Sequence, residues 1–176
     1  MYEPDLSKVP RLAEYERIVR MLKYESMKNP DIKNVLPLTV AITGARIREV
    51  LMLTTIDIDF DTARLYVPTL KRKGRPKRVV PVPSWYLPII NSYIVRNAIS
   101  HELFPISRSQ AYRIVKKKTG YHPHAFRHAA IMYFLYKGLD PETVRRITGH
   151  KSWKMIEYYV RLVRIDVLRT PLEEVF

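Results

Sequence analysis

Apolar residues recur along this chain in two rhythms. Between residues 11 and 29, Leu12, Tyr15, Ile18, Val19, Leu22 and Tyr24 fall at near-helical intervals, which predicts an amphipathic helix. Pro30 and Pro37 punctuate the next segment. The stretch VLPLTVAITGARIREVLMLT then predicts two shorter helices meeting at a Thr43-Gly44 corner, with Thr43 capping the second. Next the period drops to two. Ile56, Ile58 and Phe60 alternate with Thr55, Asp57 and Asp59; Leu65 and Val67 alternate with Arg64 and Tyr66; Val79, Val80 and Val82 follow a charged turn. Three short antiparallel strands are expected there.

Helical spacing returns in SWYLPIINSYIVRNAIS, interrupted near its start by Pro88. From Ser107 onward helices dominate. SRSQAYRIVKKKTG closes at Gly120, HAFRHAAIMYFLYKG closes at Gly138, DPETVRRITGH opens on Asp140 and Pro141, and SWKMIEYYVRLVR is one more. RIDVLRTPLEEVF reads as a tail broken at Pro171. The expected fold class is α+β, mostly α-helical with a small three-stranded antiparallel sheet. Residues 1–10 read as a lead-in, 11–161 as the domain, and 162–176 as a tail that packs on its own domain or on a neighbouring copy. There is no internal repeat and no low-complexity segment.

A chain of 176 residues, 47% apolar, is long enough for one self-supporting core. It has no cysteine, which excludes disulfides, thiolate metal sites and a thiol nucleophile. No apolar run follows MYEPDLSKVP, so neither a signal peptide nor a membrane span is expected, and the expected location is cytoplasmic. Charge changes the picture more. Thirty-one Lys and Arg against seventeen Asp and Glu leave +14, with a pI near 10.0. Such an excess points to a polyanionic partner. An anionic membrane surface would need a long amphipathic helix with a basic face, so nucleic acid is favoured.

Three stretches carry candidate chemistry. KRKGRPKR, residues 71 to 78, packs six positive charges into eight positions. Lys71, Arg72, Arg75, Lys77 and Arg78 there are candidate phosphate contacts, each expected to add about 0.9 to the salt slope of DNA binding. A solvated basic loop or a localisation signal reads equally from charge alone. HPHAFRH, residues 122 to 128, sets His124 and Arg127 three apart near a helix start, facing outward towards an anion. His124 and His128 have the four-residue spacing of a helical zinc pair, but no glutamate follows His124 and the heptapeptide holds no carboxylate. His128, before AAIMYF, reads as a hydrogen-bonded core histidine. Finally, TGARIRE offers Arg46 and Arg48 at a helix start, and GHKSWKMIEYYV offers His150 with adjacent Tyr158 and Tyr159, of which only one can enter a common pocket because helix neighbours diverge by about 100°.

In this order the motifs closely resemble the catalytic domain of the tyrosine recombinases, the phage-integrase and Xer family, from about Leu36 to Tyr159. The resemblance implies that Arg46 is the first catalytic arginine, Lys73 the catalytic lysine, His124 and Arg127 the H-x-x-R pair, and His150 the Gly-His position. Nine residues beyond His150 it selects Tyr159 as nucleophile, and it makes Glu49 the carboxylate that orients Arg46. The implied reaction is transesterification of duplex DNA at a specific attachment or recombination site, through a 3′-phosphotyrosine intermediate, with no metal, no cofactor and no ATP. Arg46 and Arg127 would clamp the phosphate oxygens, Lys73 would protonate the leaving 5′-oxygen, His124 would accept the phenol proton, and His150 would support the phosphate. Self-association, as a tetramer on DNA, is also implied.

Phe126, Ala45 and Thr148 depart mildly from the family pattern. No separate N-terminal DNA-binding domain precedes Tyr2, which reads as the catalytic portion of a longer integrase or a natural short form. Many tyrosines without cysteine point to a mobile element, virus or plasmid, of a hot-environment archaeon. Other readings of the same residues are a type IB topoisomerase, a non-catalytic DNA-binding relic of a mobile element, and a zinc hydrolase.

Overall fold

The computed structural model describes residues 5–70, 74 and 76–169, with side chains as far as residue 164. In chain order come helices α1 (Leu12–Lys28), α2 (Ile32–Thr43) and α3 (Ile47–Val50), strands β1 (Ile58–Asp59), β2 (Arg64–Pro68) and β3 (Lys77–Pro81), then helices α4 (Tyr86–Arg96), α5 (Arg108–Thr119), α6 (Pro123–Tyr136), α7 (Pro141–Thr148) and α8 (Trp153–Arg169). The strands form one antiparallel sheet in the order β1-β2-β3, with Ile58 opposite Leu65 and Leu65 opposite Val80. This is the α+β, mostly helical class expected.

Helix α2 is apolar almost all round and sits at the centre, wrapped by α1, α5 and α6. Pro37, read as punctuation within the VLPLTVAIT stretch, lies inside it. Val35, Leu36, Leu38 and Val40 are wholly buried, and at about 2 kcal/mol for each such side chain the burial outweighs the roughly 3 kcal/mol penalty of an interior proline. Pro88 does not interrupt α4 either. It is the third residue of that helix, where a backbone N–H has no intrahelical acceptor to lose. The corner after α2 is turned by Gly44 in the left-handed region, and Arg46 rather than Thr43 stands at the N-cap of α3. The Thr43 hydroxyl instead donates back to the Thr39 carbonyl.

The first strand is shorter than its alternation predicts. Thr55–Asp57 form a 3-10 turn because the Asp57 carboxylate accepts from both the N–H and the hydroxyl of Thr54, a local alternative to the sheet ladder. Ile56 is left 78% exposed. At the other end, α8 runs through position 161 to Arg169, since Ile156, Tyr159 and Leu162 continue one buried stripe at intervals of three. The expected break at Pro171 lies outside the described residues. The lead-in is tied down: Asp5 caps a 3-10 turn at Leu6–Lys8, and Val9 joins the core.

Two apolar clusters result. The larger joins α1 to α5 and the sheet, with Phe126, Ala129 and Ala130 of α6; the smaller joins α6, α7 and α8 through Ile131, Met132, Val144, Ile156, Tyr159 and Leu162. Helix α6 belongs to both. Among the described residues, no helix is long and apolar enough to cross a membrane.

Candidate active site

Helix α6 brings Arg127 to the junction of the two clusters. His122 caps the helix by accepting from the N–H of Ala125, and Pro123 fills the first position. His124 is exposed on the first turn. Arg127, expected to face outward, is only 3% exposed. Its guanidinium donates through Nη1 to the Gly44 carbonyl and through Nη2 to the Thr148 carbonyl at 3.0 Å. Burial first, then the positive charge of Arg46, pushes its pKa down to about 9, so it remains a cation at neutral pH.

Arg46 approaches from the start of α3. Its N–H and Nη1 both reach the carboxylate of Glu49, at 3.0 and 3.2 Å. Glu49 is wholly buried, and its other close cation is Arg78 from β3, with Nη2 to Oε2 at 2.8 Å. Burial alone would raise the Glu49 pKa, but the hydrogen bond and charge of Arg78, the Arg46 N–H and the charge of Arg127 outweigh it and hold the carboxyl below its usual range. Two arginines therefore bond to one carboxylate, and the charge of a third, Arg127, acts on it from nearby. The surplus is two positive charges in a partly water-excluded site, an arrangement suited to an anion.

The turn after α7 completes the enclosure. Gly149 takes a left-handed conformation, φ +73°, and His150 follows it. The Thr148 hydroxyl donates to the Val144 carbonyl and also meets His150 Nδ1 at 2.7 Å. With its one proton committed, that hydroxyl accepts from Nδ1–H, which leaves His150 Nε2 as the acceptor facing Arg127 Nη2 at 3.4 Å. Burial, then Arg127 and Arg46, lower the His150 pKa to about 3. Tyr159 of α8 is 1% exposed, its ring 5.8 Å from that of His150. Its hydroxyl is hydrogen-bonded to Nδ1 of His128. Tyr158, by contrast, is only partly buried.

Of the residues singled out in the sequence, Arg46, Glu49, Arg127, His150 and Tyr159 are gathered here, with His124 at the rim through its ring contact, 4.4 Å between centroids, with His128. Lys71, Arg72, Lys73 and Arg75 lie outside the described residues. Two expected phosphate contacts also engage protein groups. Lys77 pairs with the buried carboxylate of Asp57, and Arg78 turns inward, its side chain 11% exposed.

Two other residues gained a place that sequence reasoning did not assign. His128, read as a core histidine, is buried as expected but touches Tyr159. Thr148, read as a mild departure, orients His150; a polar residue at a buried helix end before a left-handed glycine was the available signal. The zinc reading loses support, because His128 Nδ1 is engaged by the phenol and burial, then His124 and Arg127, lower the basicity of the ring. Among the described residues, no three His, Asp or Glu side chains group as metal ligands. A cavity of about 200 Å³ opens beside the site between Thr69, Lys77, Arg78, Arg145 and His150.

Comparison with known proteins identifies the family and the fold. The sequence model of the phage integrase family matches residues 11–164. The chain is 29% identical over 135 residues to a tyrosine recombinase of Thermosipho africanus, covering 68% of this chain and 46% of that protein. It is 30% identical over 135 residues to tyrosine recombinase XerA of Pyrococcus furiosus, with the same coverage, and 24% identical over 184 residues to XerA of Thermococcus onnurineus, covering 96% of this chain and 58% of that one. The chain thus spans about half the length of these relatives. Among solved structures, XerA recombinase superposes with a TM-score of 0.63 at 20% identity, over 97% of this chain and 65% of that one. XerH bound to its difH substrate before cleavage gives 0.70 at 18%, over 97% and 56%. These likenesses show the fold.

Proposed function

Because this chain belongs to the phage integrase family, we propose that it cuts and rejoins duplex DNA at a specific site through a phosphotyrosyl intermediate on Tyr159. The observation that carries the reading is a convergence: the Tyr159 hydroxyl, the His150 ring and the Arg127 guanidinium meet in one enclosure with Arg46, although Arg46 and Tyr159 are 113 residues apart in sequence (159 − 46). Arg46 and Arg127 bind the non-bridging oxygens of the scissile phosphate and stabilise the charge that builds there, each worth about 3 kcal/mol in the transition state. The phenol oxygen of Tyr159 attacks phosphorus as the bond to the 5′-oxygen breaks. Its proton passes to a histidine, His124 in this reading, and Lys73 supplies the proton that leaves with the 5′-hydroxyl. Rejoining reverses these transfers, so the bond energy is kept without ATP.

Duplex DNA carrying an attachment or recombination site is the proposed partner, with self-association on it, and the proposed location is wherever the DNA of a prokaryotic host or its virus lies. Structural neighbours include complexes of this kind, XerH on difH and a lambda integrase dimer on a core site.

The test is covalent capture on a pool of nicked duplexes with randomised core sequence. An adduct formed by the wild type and by Tyr158→Phe, lost in Tyr159→Phe and undiminished by a chelator, is the expected result. No adduct at all, or an adduct that survives Tyr159→Phe, would overturn the reading. Multi-turnover relaxation of supercoiled DNA lacking any selected site would favour a topoisomerase instead.

A further inference from the structure

We propose that Arg78 is a positioning residue of this site: it joins the strand that follows the basic loop to Glu49 and to the turn carrying His150, and cleavage depends on that junction. The inference rests on the proposed reaction and extends it to a residue whose sequence context marks it as a DNA contact.

Arg78 makes four directional bonds. Nε donates to the Ile147 carbonyl at 2.8 Å, Nη1 to the Pro68 carbonyl at 3.3 Å and to the Thr69 hydroxyl at 3.2 Å, and Nη2 to Glu49 Oε2 at 2.8 Å. One planar fork therefore touches three elements: the end of β2, the start of α3 through Glu49, and the last turn of α7. Lysine, whose three donors share one nitrogen, cannot reproduce that geometry. Each contact leads to a reacting group. Glu49 holds the N–H and Nη1 of Arg46. Ile147 precedes Thr148, whose carbonyl receives Arg127 and whose hydroxyl orients His150. Arg78 itself lies five positions after Lys73.

The packing at Gly149 is a second, independent sign. A Cβ on this glycine would lie 3.1 Å from Cζ of Arg78 and 3.2 Å from Nε and Nη1. The guanidinium is stacked against bare backbone where any other residue would crowd it, so the turn and the arginine fit as one unit. A phosphate contact has no need of such a seat. With its donors directed at protein acceptors, Arg78 acts through Glu49 and the 147–150 turn.

The experiment compares Arg78→Gln and Arg78→Lys with the wild type on a nicked duplex recovered from the pool. Single-turnover cleavage at saturating DNA should fall about 10- to 100-fold in both variants, while DNA affinity and its salt slope stay within about twofold. Wild-type cleavage by Arg78→Lys would overturn the proposal. So would weaker binding with a salt slope reduced by about 0.9, the mark of a phosphate contact, or a loss of activity that vanishes once rates are corrected for the folded fraction. Amide exchange at residues 148–150 is read alongside, because it requires no DNA. Faster local exchange in both variants, with unchanged exchange in α2, is expected; protection equal to the wild type sinks the positioning role even if no adduct ever forms, an outcome that would remove the proposed reaction separately.

Discussion

The Tyr159 hydroxyl is hydrogen-bonded to Nδ1 of His128, so the residue after Arg127 on α6 holds the phenol in a buried position. That contact has a pH signature. Burial first, then the neighbouring His124 and Arg127, lowers the His128 pKa from 6.5 to about 3. Between those values the unfolded chain takes up a proton that the folded chain refuses, so stability is fully present above about pH 6.5 and is lost as pH falls. One such group contributes up to about 1.4 kcal/mol per pH unit. His150, shifted in the same direction to about 3, adds to the slope. Urea unfolding between pH 7 and pH 4.5 should show stability declining, and His128→Asn should flatten the decline by about one proton; parallel curves for the two proteins would contradict this.

Glu49 is the hub on which two arginines depend. Glu49→Gln leaves Arg78 and Arg46 facing a neutral amide inside the fold, and breaking such a buried pair costs about 3 kcal/mol. Chemical denaturation should register that loss. Cleavage should drop as well, because Arg46 loses the carboxylate that directs it. A variant of unchanged stability would mean that the carboxylate is not ionised in the folded protein.

Gly149 and Gly120 both adopt left-handed backbone, at φ +73° and +83°. Alanine at either position carries a conformational penalty of about 1 kcal/mol. Only at Gly149 does the added methyl also meet the Arg78 guanidinium, since open space surrounds the corresponding point at Gly120. Gly149→Ala should therefore lose clearly more stability than Gly120→Ala, and only the former should slow cleavage. Equal losses would show that Arg78 moves aside freely.

Salt dependence separates the basic residues of the 71–78 stretch from one another. Neutralising Lys71, Arg72 or Arg75 to Gln should each lower the salt slope of DNA binding by about 0.9 if each meets a phosphate. Lys77→Gln should change it by less than half as much, because its ammonium is already paired with the buried Asp57 carboxylate. Binding titrations from about 50 to 200 mM salt measure the difference.

Local features of this protein were legible in its sequence because the groups that form them are close along the chain. Asp140 caps α7, and Gly120 ends α5 in left-handed backbone. The order of the Arg46, His124-x-x-Arg127, His150 and Tyr159 motifs was legible too, and with it the family and the fold class. Where competing local interactions were strong the same reasoning failed, as at Ile56, exposed because the Asp57 side chain captures the backbone of Thr54.

What only the tertiary structure decided was the direction and burial of long polar side chains. Nothing near Arg78 in the chain announces that its guanidinium turns to Glu49 and Ile147, which are 29 and 69 residues away. Nothing near His128 announces a tyrosine 31 residues on, and the outward face expected for Arg127 became a floor once Gly44 and Thr148 supplied carbonyls to it. Period and residue type determine which segments become helix or strand and which chemistry is present. Where a flexible charged side chain points is set by acceptors on other elements, and those exist only after the apolar clusters around α6 have assembled.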